Sequence, residues 1–200
     1  MDMPPYDPRA EHALLARMKS GDETAFDQLY RRHKDAVYRF ALLYSGSAAQ
    51  AADVTQDTFM HFIGHPEGYD PARGAIGAWL CGVARNLARR SLGHREDATD
   101  PAELADDAAL DASQVDTQTP LERILRNEAA ETVRRAVASI APHYRDVLVL
   151  CELSDLSYAE AAQVCGIDIG TVRSRLHRAR AQLAARLASL APRAQEAISP

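Results

Sequence analysis

The sequence predicts an all-α protein with two small helical domains joined by a flexible acidic linker. Apolar residues recur at spacings of three and four along most of the chain, which is the period of a helix. Strand signals are nearly absent, because no Asn-Gly or Asp-Gly turn connects alternating apolar and polar runs. Residues 96–118 lack the helical period and are rich in Asp and Ala, which predicts a self-repelling linker. The domains are therefore expected at 1–95 and 119–200.

The first two helices are expected over residues 12–20 and 23–45. Each is followed by a glycine, Gly21 or Gly46, and glycine readily adopts the left-handed conformation found behind helix C-termini. In both segments the apolar residues fall on one face, which predicts helices packed on a core. Those residues are Leu14, Leu15 and Met18 in the first helix, and Phe26, Leu29, Tyr30, Val37, Phe40, Ala41 and Tyr44 in the second.

Two more helices complete the first domain. Ser47 with Gln50 three residues later is the signature of a capping box, which starts a third helix that extends to about Ile63. Residues 64–76 are rich in Gly and Pro and predict a loop. A fourth helix is expected over 77–92.

The second domain begins at a proline. Pro120 suits the first position of a helix, with Thr119 as the N-cap, and this helix extends to about Ile140. Pro142 then interrupts the pattern, and another helix is expected over 143–152. Two short helices and a long basic tail follow.

The clearest motif lies in residues 157–183. Ser157 and Glu160 form a second capping-box signature, which begins a helix of about eight residues. Gly166 supplies the turn, because glycine takes positive φ freely, and Asp168 suits the N-cap of the next helix. Two helices joined by a short turn containing glycine are typical of a helix-turn-helix.

The second helix of this motif has an apolar and a basic face. Its inward positions are Val172, Leu176, Ala179 and Leu183, and no acid occurs between Asp168 and Glu196. Arginine can donate two hydrogen bonds to guanine or neutralise a phosphate, so this face predicts a DNA recognition helix. The alternative is a basic helix that only balances acids elsewhere. The residues expected to contact DNA are Thr171, Arg173, Ser174, Arg175, His177, Arg178 and Arg180.

Two stretches of the chain resemble a known family. The segment SYAEAAQVCGIDIGTVRSRLHRARAQL resembles the promoter-reading region four of sigma-70-type sigma factors. GDETAFDQLYRRHKDAVYRFALLYSGSAAQAADVTQDTFMHFI, followed by WLCGVARNLARR, is similar to their region two. With only these two domains, the chain resembles the compact extracytoplasmic-function (ECF) group. The resemblance implies that it binds bacterial core RNA polymerase, recognises the −35 and −10 elements of promoter DNA, and aids strand opening.

The resemblance also implies a surface that docks on polymerase. The segment DVTQDTF is similar to the part of region two that contacts the clamp helices of the largest subunit. Asp53, Gln56 and Asp57 are expected on its exposed face, and Phe59, Phe62 and Ile63 are expected to face inward. Without the resemblance, an ordinary solvated acidic face would be the favoured interpretation.

A second acid-free stretch, residues 73–95, carries arginines near the loop expected to capture an extruded base of the −10 element. Tyr69 offers a ring for stacking, and Asn86 and the arginines are expected to hold phosphates. Trp79 is interpreted as a core residue because of its spacing with Leu80 and Val83. The residues expected to contact the −10 element are Tyr69, Arg73, Arg85, Asn86, Arg89 and Arg90.

The composition and the motifs exclude other classes. Taken over the whole chain, the net charge of −5 argues against a nucleic-acid binder. Residues 96–118, however, hold eight acids and no Lys or Arg, so the excess of acids lies in the predicted linker and the argument does not apply to the two domains. The patterns of a signal peptide, a membrane span, a zinc site, HExxH, GxSxG and a phosphate-binding loop are all missing from the sequence. We therefore expect a cytoplasmic protein that is not an enzyme, without catalytic residues, metal, cofactor, small-molecule substrate or membrane insertion. Cys81, Cys151 and Cys165 are interpreted as buried structural residues.

The remaining expectations concern partners. ECF factors are usually held by an anti-sigma factor, so the resemblance implies such a partner here. Two binding alternatives stay open: a helix-turn-helix regulator that acts without replacing sigma on core polymerase, and an adaptor that binds proteins without DNA. The acidic linker is either a spacer, an occupant of the RNA-exit path of the polymerase, or a screen for the basic faces.

Overall fold

The computed structural model describes residues 8–97 and 120–196, with side chains described for 10–91 and 127–189. Over these ranges the chain is helical and contains no strand, which confirms the all-α prediction. The α-helices are α1 (Pro8–Lys19), α2 (Glu23–Ser45), α3 (Ala48–Gly64), α4 (Ile76–Asp97), α5 (Pro120–Ala138), α6 (Pro142–Leu148), α7 (Tyr158–Cys165) and α8 (Ile169–Glu196). Two 3₁₀ turns, Pro66–Gly68 and Pro71–Arg73, and one π-helical turn, Val149–Leu153, complete these ranges.

The ends of α2 are where the sequence predicts them. Asp22 caps the start, because its carboxylate accepts hydrogen bonds from the backbone N–H groups of Thr24 at 2.9 Å and Ala25 at 3.2 Å. Gly46 ends the helix at φ 74° and donates its N–H to the carbonyl of Leu42. Local capping residues therefore determine both boundaries.

Helices α1–α4 pack around one apolar core. Its largest fully buried side chains include Tyr44, Phe40, Phe62, Leu29, Ile76 and Leu80. The expectation that Ile63 faces inward is wrong, since its side chain is 49% exposed. Ile63 follows the buried Phe62, and each residue of a helix turns about 100°, which carries Ile63 to the edge of the apolar stripe. Tyr30, expected on the stripe of α2, is 37% exposed.

Several helices are longer than the sequence predicts. Helix α1 starts at Pro8 instead of residue 12, and α4 continues to Asp97. The recognition helix and the expected basic tail form one continuous helix, α8, of 28 residues. Residues 96–97 of the predicted linker thus lie in α4, and residues 98–118 and the Thr119 cap lie outside the described residues. The domain boundaries therefore stay a prediction.

The second domain, built from α5–α8, packs directly on the first. Helix α5 and the π turn lie against α2, and α7 lies against α4. Tyr44 on α2 donates its hydroxyl to Asp146 on α6 at 2.8 Å, and Arg145 donates to the carbonyl of Tyr44 at 3.1 Å. Periodicity within each helix does not predict which domain faces meet, so this contact is new information from the structure.

Candidate nucleic-acid and polymerase interfaces

The helix-turn-helix forms as its sequence predicts. The Ser157 hydroxyl accepts from the N–H of Glu160 at 3.3 Å, and the Glu160 carboxylate accepts from the N–H of Ser157 at 2.9 Å. These reciprocal bonds are the capping box of α7. Gly166 turns the chain at φ 65°, and α8 starts directly after Asp168. The capping box thus defines where α7 begins, and the left-handed Gly166 ends α7 and turns the chain toward α8.

Helix α8 presents one apolar and one polar face. Val172, Leu176 and Ala179 are at most 1% exposed, and Leu183 is half-buried against the same core. Around the other side, Thr171 and Arg175 are half-buried, and the remaining residues expected to contact DNA are exposed. Packing of the inward stripe thus holds the basic face toward solvent. The exposed members are Arg173, Ser174, His177, Arg178 and Arg180.

Two arginines of this face contact other helices. Arg180 forms an ion pair with Glu152 of the π turn at 2.6 Å, and that hydrogen bond and charge raise the pKa of the guanidinium. Arg178 donates to the hydroxyl of Tyr144 on α6 at 3.4 Å. Neither partner was identified from the sequence, because each lies at least 28 residues away along the chain.

The loop between α3 and α4 is built around two aromatic rings. Tyr69 is 4% exposed, donates its hydroxyl to the carbonyl of Gly74 at 2.9 Å, and packs on Trp79 with ring centroids 5.9 Å apart. Trp79 is only partly buried and also contacts Phe62, so it supports the core as expected while one side stays accessible. Of the two rings, Tyr69 is the more buried.

A cleft of about 250 Å³ lies beside this loop. Its first-domain side brings together three residues expected to contact the −10 element: Tyr69, Arg73 and Asn86. Its other side is formed by α7, which contributes Glu160, Gln163 and Val164. Arg90 is exposed, and Arg85 and Arg89 point to a different partner.

That partner is Asp146. Its carboxylate is fully buried and accepts from Arg85 at 2.6 Å and from Arg89 at 3.3 Å. Burial lowers the pKa of Arg85, but the hydrogen bond and charge of Asp146 outweigh it and raise the pKa overall. Sequence reasoning missed Asp146. The available signal was a carboxylate directly before the apolar run Val147–Leu150, where a charge needs a buried partner.

The residues expected to dock on polymerase lie on one exposed face of α3. Asp53, Gln56 and Asp57 are all exposed. Met60 and Ile63 lie at neighbouring helical positions and are 60% and 49% exposed. The face therefore combines acidic and apolar side chains, and sequence reasoning missed its apolar part because it assigned Ile63 to the core.

The cysteines are thiols. Cys81 is buried as expected, and burial raises its pKa to about 12. Cys151 and Cys165 are half-buried, and burial raises the pKa of Cys151 to about 11 and that of Cys165 above its ordinary value. All three therefore stay protonated at neutral pH, which lowers their reactivity. Within the described residues, no group of His, Cys, Asp and Glu could hold a metal, and no helix is long and apolar enough to cross a membrane.

Two family models match the chain. Sigma-70 region 2 matches residues 29–97, and Sigma-70, region 4 matches residues 130–183. The first match contains α3, the loop and α4, and the second contains the helix-turn-helix. Together they cover more than half of the chain.

Curated relatives are RNA polymerase sigma factors, several of which are named as ECF factors. ECF RNA polymerase sigma factor SigE of Mycolicibacterium smegmatis is 34% identical over 82% of this chain, which spans 63% of that relative's length. RNA polymerase sigma-H factor of Pseudomonas aeruginosa is 31% identical, with 85% of this chain and 90% of the relative covered. ECF RNA polymerase sigma factor SigM of Mycobacterium tuberculosis strain H37Rv is 32% identical, with coverages of 88% and 84%.

Solved structures share the fold. CnrH, determined in complex with the cytosolic domain of CnrY, matches with a TM-score of 0.67 and 28% identity, covering 92% of this chain and 99% of that chain. The sigma factor RpoE of Bartonella quintana, determined with the anti-sigma factor NepR, matches with a TM-score of 0.63 and 25% identity, covering 81% and 96%. With both family models and relatives matched over most of their length, the chain belongs to the ECF RNA polymerase sigma factors of the sigma-70 family.

Proposed function

We propose that this chain binds core RNA polymerase and directs initiation at specific promoters, with α8 reading the −35 element. One observation carries the proposal: α8 projects an exposed, acid-free face from a capped helix-turn-helix. A helix of this kind fits the major groove of duplex DNA, where arginine can contact guanine edges and phosphates. Thr171, Arg173, Ser174, Arg175, His177, Arg178 and Arg180 are the proposed contacts.

The −10 element is proposed to bind at the cleft beside the loop. Tyr69, Arg73 and Asn86 line the cleft, and Arg85, Arg89 and Arg90 lie along the same helix, α4. An unstacked base held there would favour the opened strands over the duplex. Preferential binding of one state shifts the equilibrium toward it, so strand opening needs no covalent step from this chain. The proposed role is accordingly not enzymatic.

Polymerase docking is proposed for the exposed face of α3. Asp53, Gln56 and Asp57 supply hydrogen-bond acceptors and charge, and Met60 and Ile63 supply apolar area. An apolar patch beside polar residues is typical of a surface that binds another protein.

An anti-sigma factor is the third proposed partner. CnrH and RpoE were solved with CnrY and NepR, and this chain covers nearly the whole of both sigma factors. We extend the same kind of partner to this chain. Binding to core polymerase and to promoter DNA would place the protein in the cytoplasm.

Run-off transcription tests the proposal. The purified chain is combined with bacterial core RNA polymerase and fragments of genomic DNA, and transcripts are mapped by sequencing. We expect initiation at a limited set of sites that depends on the added chain. Initiation that is equal with and without the chain would overturn the proposal.

Variants separate the two surfaces in the same assay. Arg173→Ala with Arg175→Ala should abolish promoter selection without preventing co-purification with core polymerase. Asp57→Arg should prevent co-purification, because it reverses a charge in the proposed docking face. Asp35→Arg is the matched control, since it makes the same change at an exposed position of α2.

A further inference from the structure

One carboxylate reaches the basic face of α8 from outside that helix. Glu152 of the π turn accepts a hydrogen bond from Arg180 at 2.6 Å, across 28 residues of sequence. Buried Val149 and Leu150 hold the π turn in place, and buried Ala179 fixes the side of α8 on which Arg180 lies. Packing therefore supports the ion pair from both sides, although its two side chains are partly exposed.

The other arginines of this face keep their charge. Arg173 and Arg178 are exposed, and Arg178 donates to the hydroxyl of Tyr144, which is an uncharged partner. Among the side chains that the structure describes, Arg180 is the one arginine of α8 that forms an ion pair. Compensation by Glu152 thus sets Arg180 apart from the arginines that precede it on α8.

The place of Arg180 along α8 indicates which groups of DNA it meets. In helix-turn-helix proteins, the N-terminal residues of the second helix contact base edges in the major groove. Arg180 lies about 16 Å beyond Ile169, where α8 begins, at about 1.5 Å per residue. The major groove is only about 8.5 Å deep, so a helix that enters the groove by its N-terminus brings Arg180 nearest to the phosphates.

We propose that Glu152 limits the strength with which α8 binds DNA phosphates, by compensating the charge of Arg180. This inference rests on the proposed function, because it assumes that α8 binds the −35 element. A phosphate that approaches Arg180 must either displace the Glu152 carboxylate or lie beside its negative charge, and both weaken the attraction. One phosphate contact of α8 is therefore weaker than the number of its arginines indicates.

The consequence concerns affinity and its salt dependence, and not sequence preference. Phosphate contacts carry no sequence information directly, and their strength falls as the salt concentration rises, because binding releases counterions from the DNA. Glu152 therefore weakens binding to promoters and to other DNA alike, while Arg173 keeps its charge for a base edge. The holoenzyme then dissociates sooner from every site, which shortens the time lost at sites of the wrong sequence.

The salt dependence of DNA binding by the holoenzyme tests the proposal. The whole chain is combined with core polymerase, and its affinity is measured between about 50 and 200 mM NaCl for two duplexes. One is a promoter found by run-off transcription, and the other is that promoter with a scrambled −35 element. Glu152→Gln removes the charge and keeps the size of the side chain. It should bind both duplexes more tightly at low salt, and this advantage should shrink by about 3.5-fold across the series, which is the effect of one additional phosphate contact.

Two further variants locate the effect. Asp155→Asn is the matched control, because Asp155 is exposed in the same domain and pairs with no arginine in the part of the chain that the structure describes. Its φ of 56° is one that Asn tolerates, and the variant should leave the salt dependence unchanged. Glu152→Gln combined with Arg180→Gln should return the salt dependence to that of the wild-type chain, because the released arginine is then missing.

Each other outcome would overturn the proposal. An unchanged salt dependence in Glu152→Gln means that the ion pair does not weaken phosphate binding. A gain of equal size in Asp155→Asn assigns the effect to overall charge, and a gain that persists without Arg180 assigns it to another group. Weaker binding by Glu152→Gln means that the pair positions α8 instead.

Thermal melting followed by circular dichroism shows whether each variant is folded. If Glu152→Gln is not, Arg180→Gln alone decides, because it should leave the salt dependence close to that of the wild-type chain. A loss of one full phosphate contact in that variant would show that Arg180 binds a phosphate in spite of Glu152, and would overturn the proposal.

Failure of the proposed function has a different signature. In that case the wild-type chain gives no initiation that depends on it when combined with core polymerase, and this inference falls with the function. Normal initiation by the wild-type chain, together with any of the contrary salt dependences above, would overturn this inference alone.

Discussion

Arginines that look equivalent in the sequence meet different surroundings in the fold. Arg173 is exposed on α8, Arg180 is paired with Glu152, and Arg85 is buried against Asp146. Sequence spacing places each on a basic surface, but it cannot show which carboxylate lies opposite. Each arginine therefore has a different expected effect on DNA binding.

Arg173→Ala should weaken promoter binding by about 1–3 kcal/mol if the side chain reads a base, with specificity relaxed at one position of the −35 element. Arg180→Ala should have a smaller effect, because Glu152 already neutralises that charge in the free chain. Competition of the holoenzyme variants for a set of single-base promoter mutants measures both. If Arg173→Ala weakens binding to all the promoter sequences by the same amount, Arg173 contacts a phosphate instead of a base.

The N-cap of α2 predicts a pH dependence. Hydrogen bonds from Thr24 and Arg17 lower the pKa of Asp22 from 3.8 to about 2. A lowered pKa in the folded state means that the ionised carboxylate stabilises the fold above pH 4, and that this contribution is lost as the pH falls toward 2. Asp22→Asn keeps the cap but not the charge. The difference in melting temperature between wild type and variant should be constant above pH 5 and shrink between pH 4 and pH 2.

Among the individual helices, α7 has a capping box that contributes to the free energy of unfolding of the chain. Ser157→Ala removes the side-chain acceptor for the Glu160 N–H and should lower the free energy of unfolding by about 0.5–2 kcal/mol. Urea unfolding measures the loss. Ser189→Ala on exposed α8 is the control, since its hydroxyl bonds only within its own helix, and a loss of the same size there would contradict the assignment.

The turn of the helix-turn-helix depends on a left-handed residue. Gly166 has φ 65°, and a Cβ there would have no atom within 4 Å, so Gly166→Ala costs backbone strain alone. We expect a loss of about 1–2 kcal/mol in the free energy of unfolding. Gly64→Ala has equally open space without a positive φ and should be neutral or slightly stabilising. Equal effects of the two substitutions in thermal unfolding would refute this account of the turn.

Whole-molecule behaviour depends on the interface between the domains. Asp146 is fully buried between three partners from the first domain, and Arg145 beside it donates to the carbonyl of Tyr44. If one domain unfolded alone, the buried charged groups of the other domain would lose their partners and be left uncompensated. The two domains should therefore unfold together in the wild-type chain.

Differential scanning calorimetry measures this coupling. We expect a single thermal transition for the wild-type chain and two resolved transitions for Asp146→Asn. Asp155→Asn, the same change at an exposed position of the second domain, should behave as the wild-type chain does. The midpoint of the first transition should fall, because one domain loses the support of the other. Two transitions already present in the wild-type chain would contradict the coupling.

The sequence by itself determined the helical class, both ends of α2, the capped helix-turn-helix and the inward stripe of α8. These features depend on interactions between residues that are close along the chain, such as Ser157 with Glu160. The sequence also located both basic stretches. It missed the exposure of Ile63, because helical spacing alone does not define where an apolar stripe ends.

The tertiary structure alone decided what faces the basic stretches. Asp146 lies 61 residues from Arg85 and 57 from Arg89 along the chain, so no spacing rule connects them. Their contact exists only because packing of α5 and the π turn on α2, and of α7 on α4, brings α6 to the first domain. Periodicity and capping act within a few residues and leave open which faces meet. The meeting of the two domains is set instead by burial and charge pairing between distant segments.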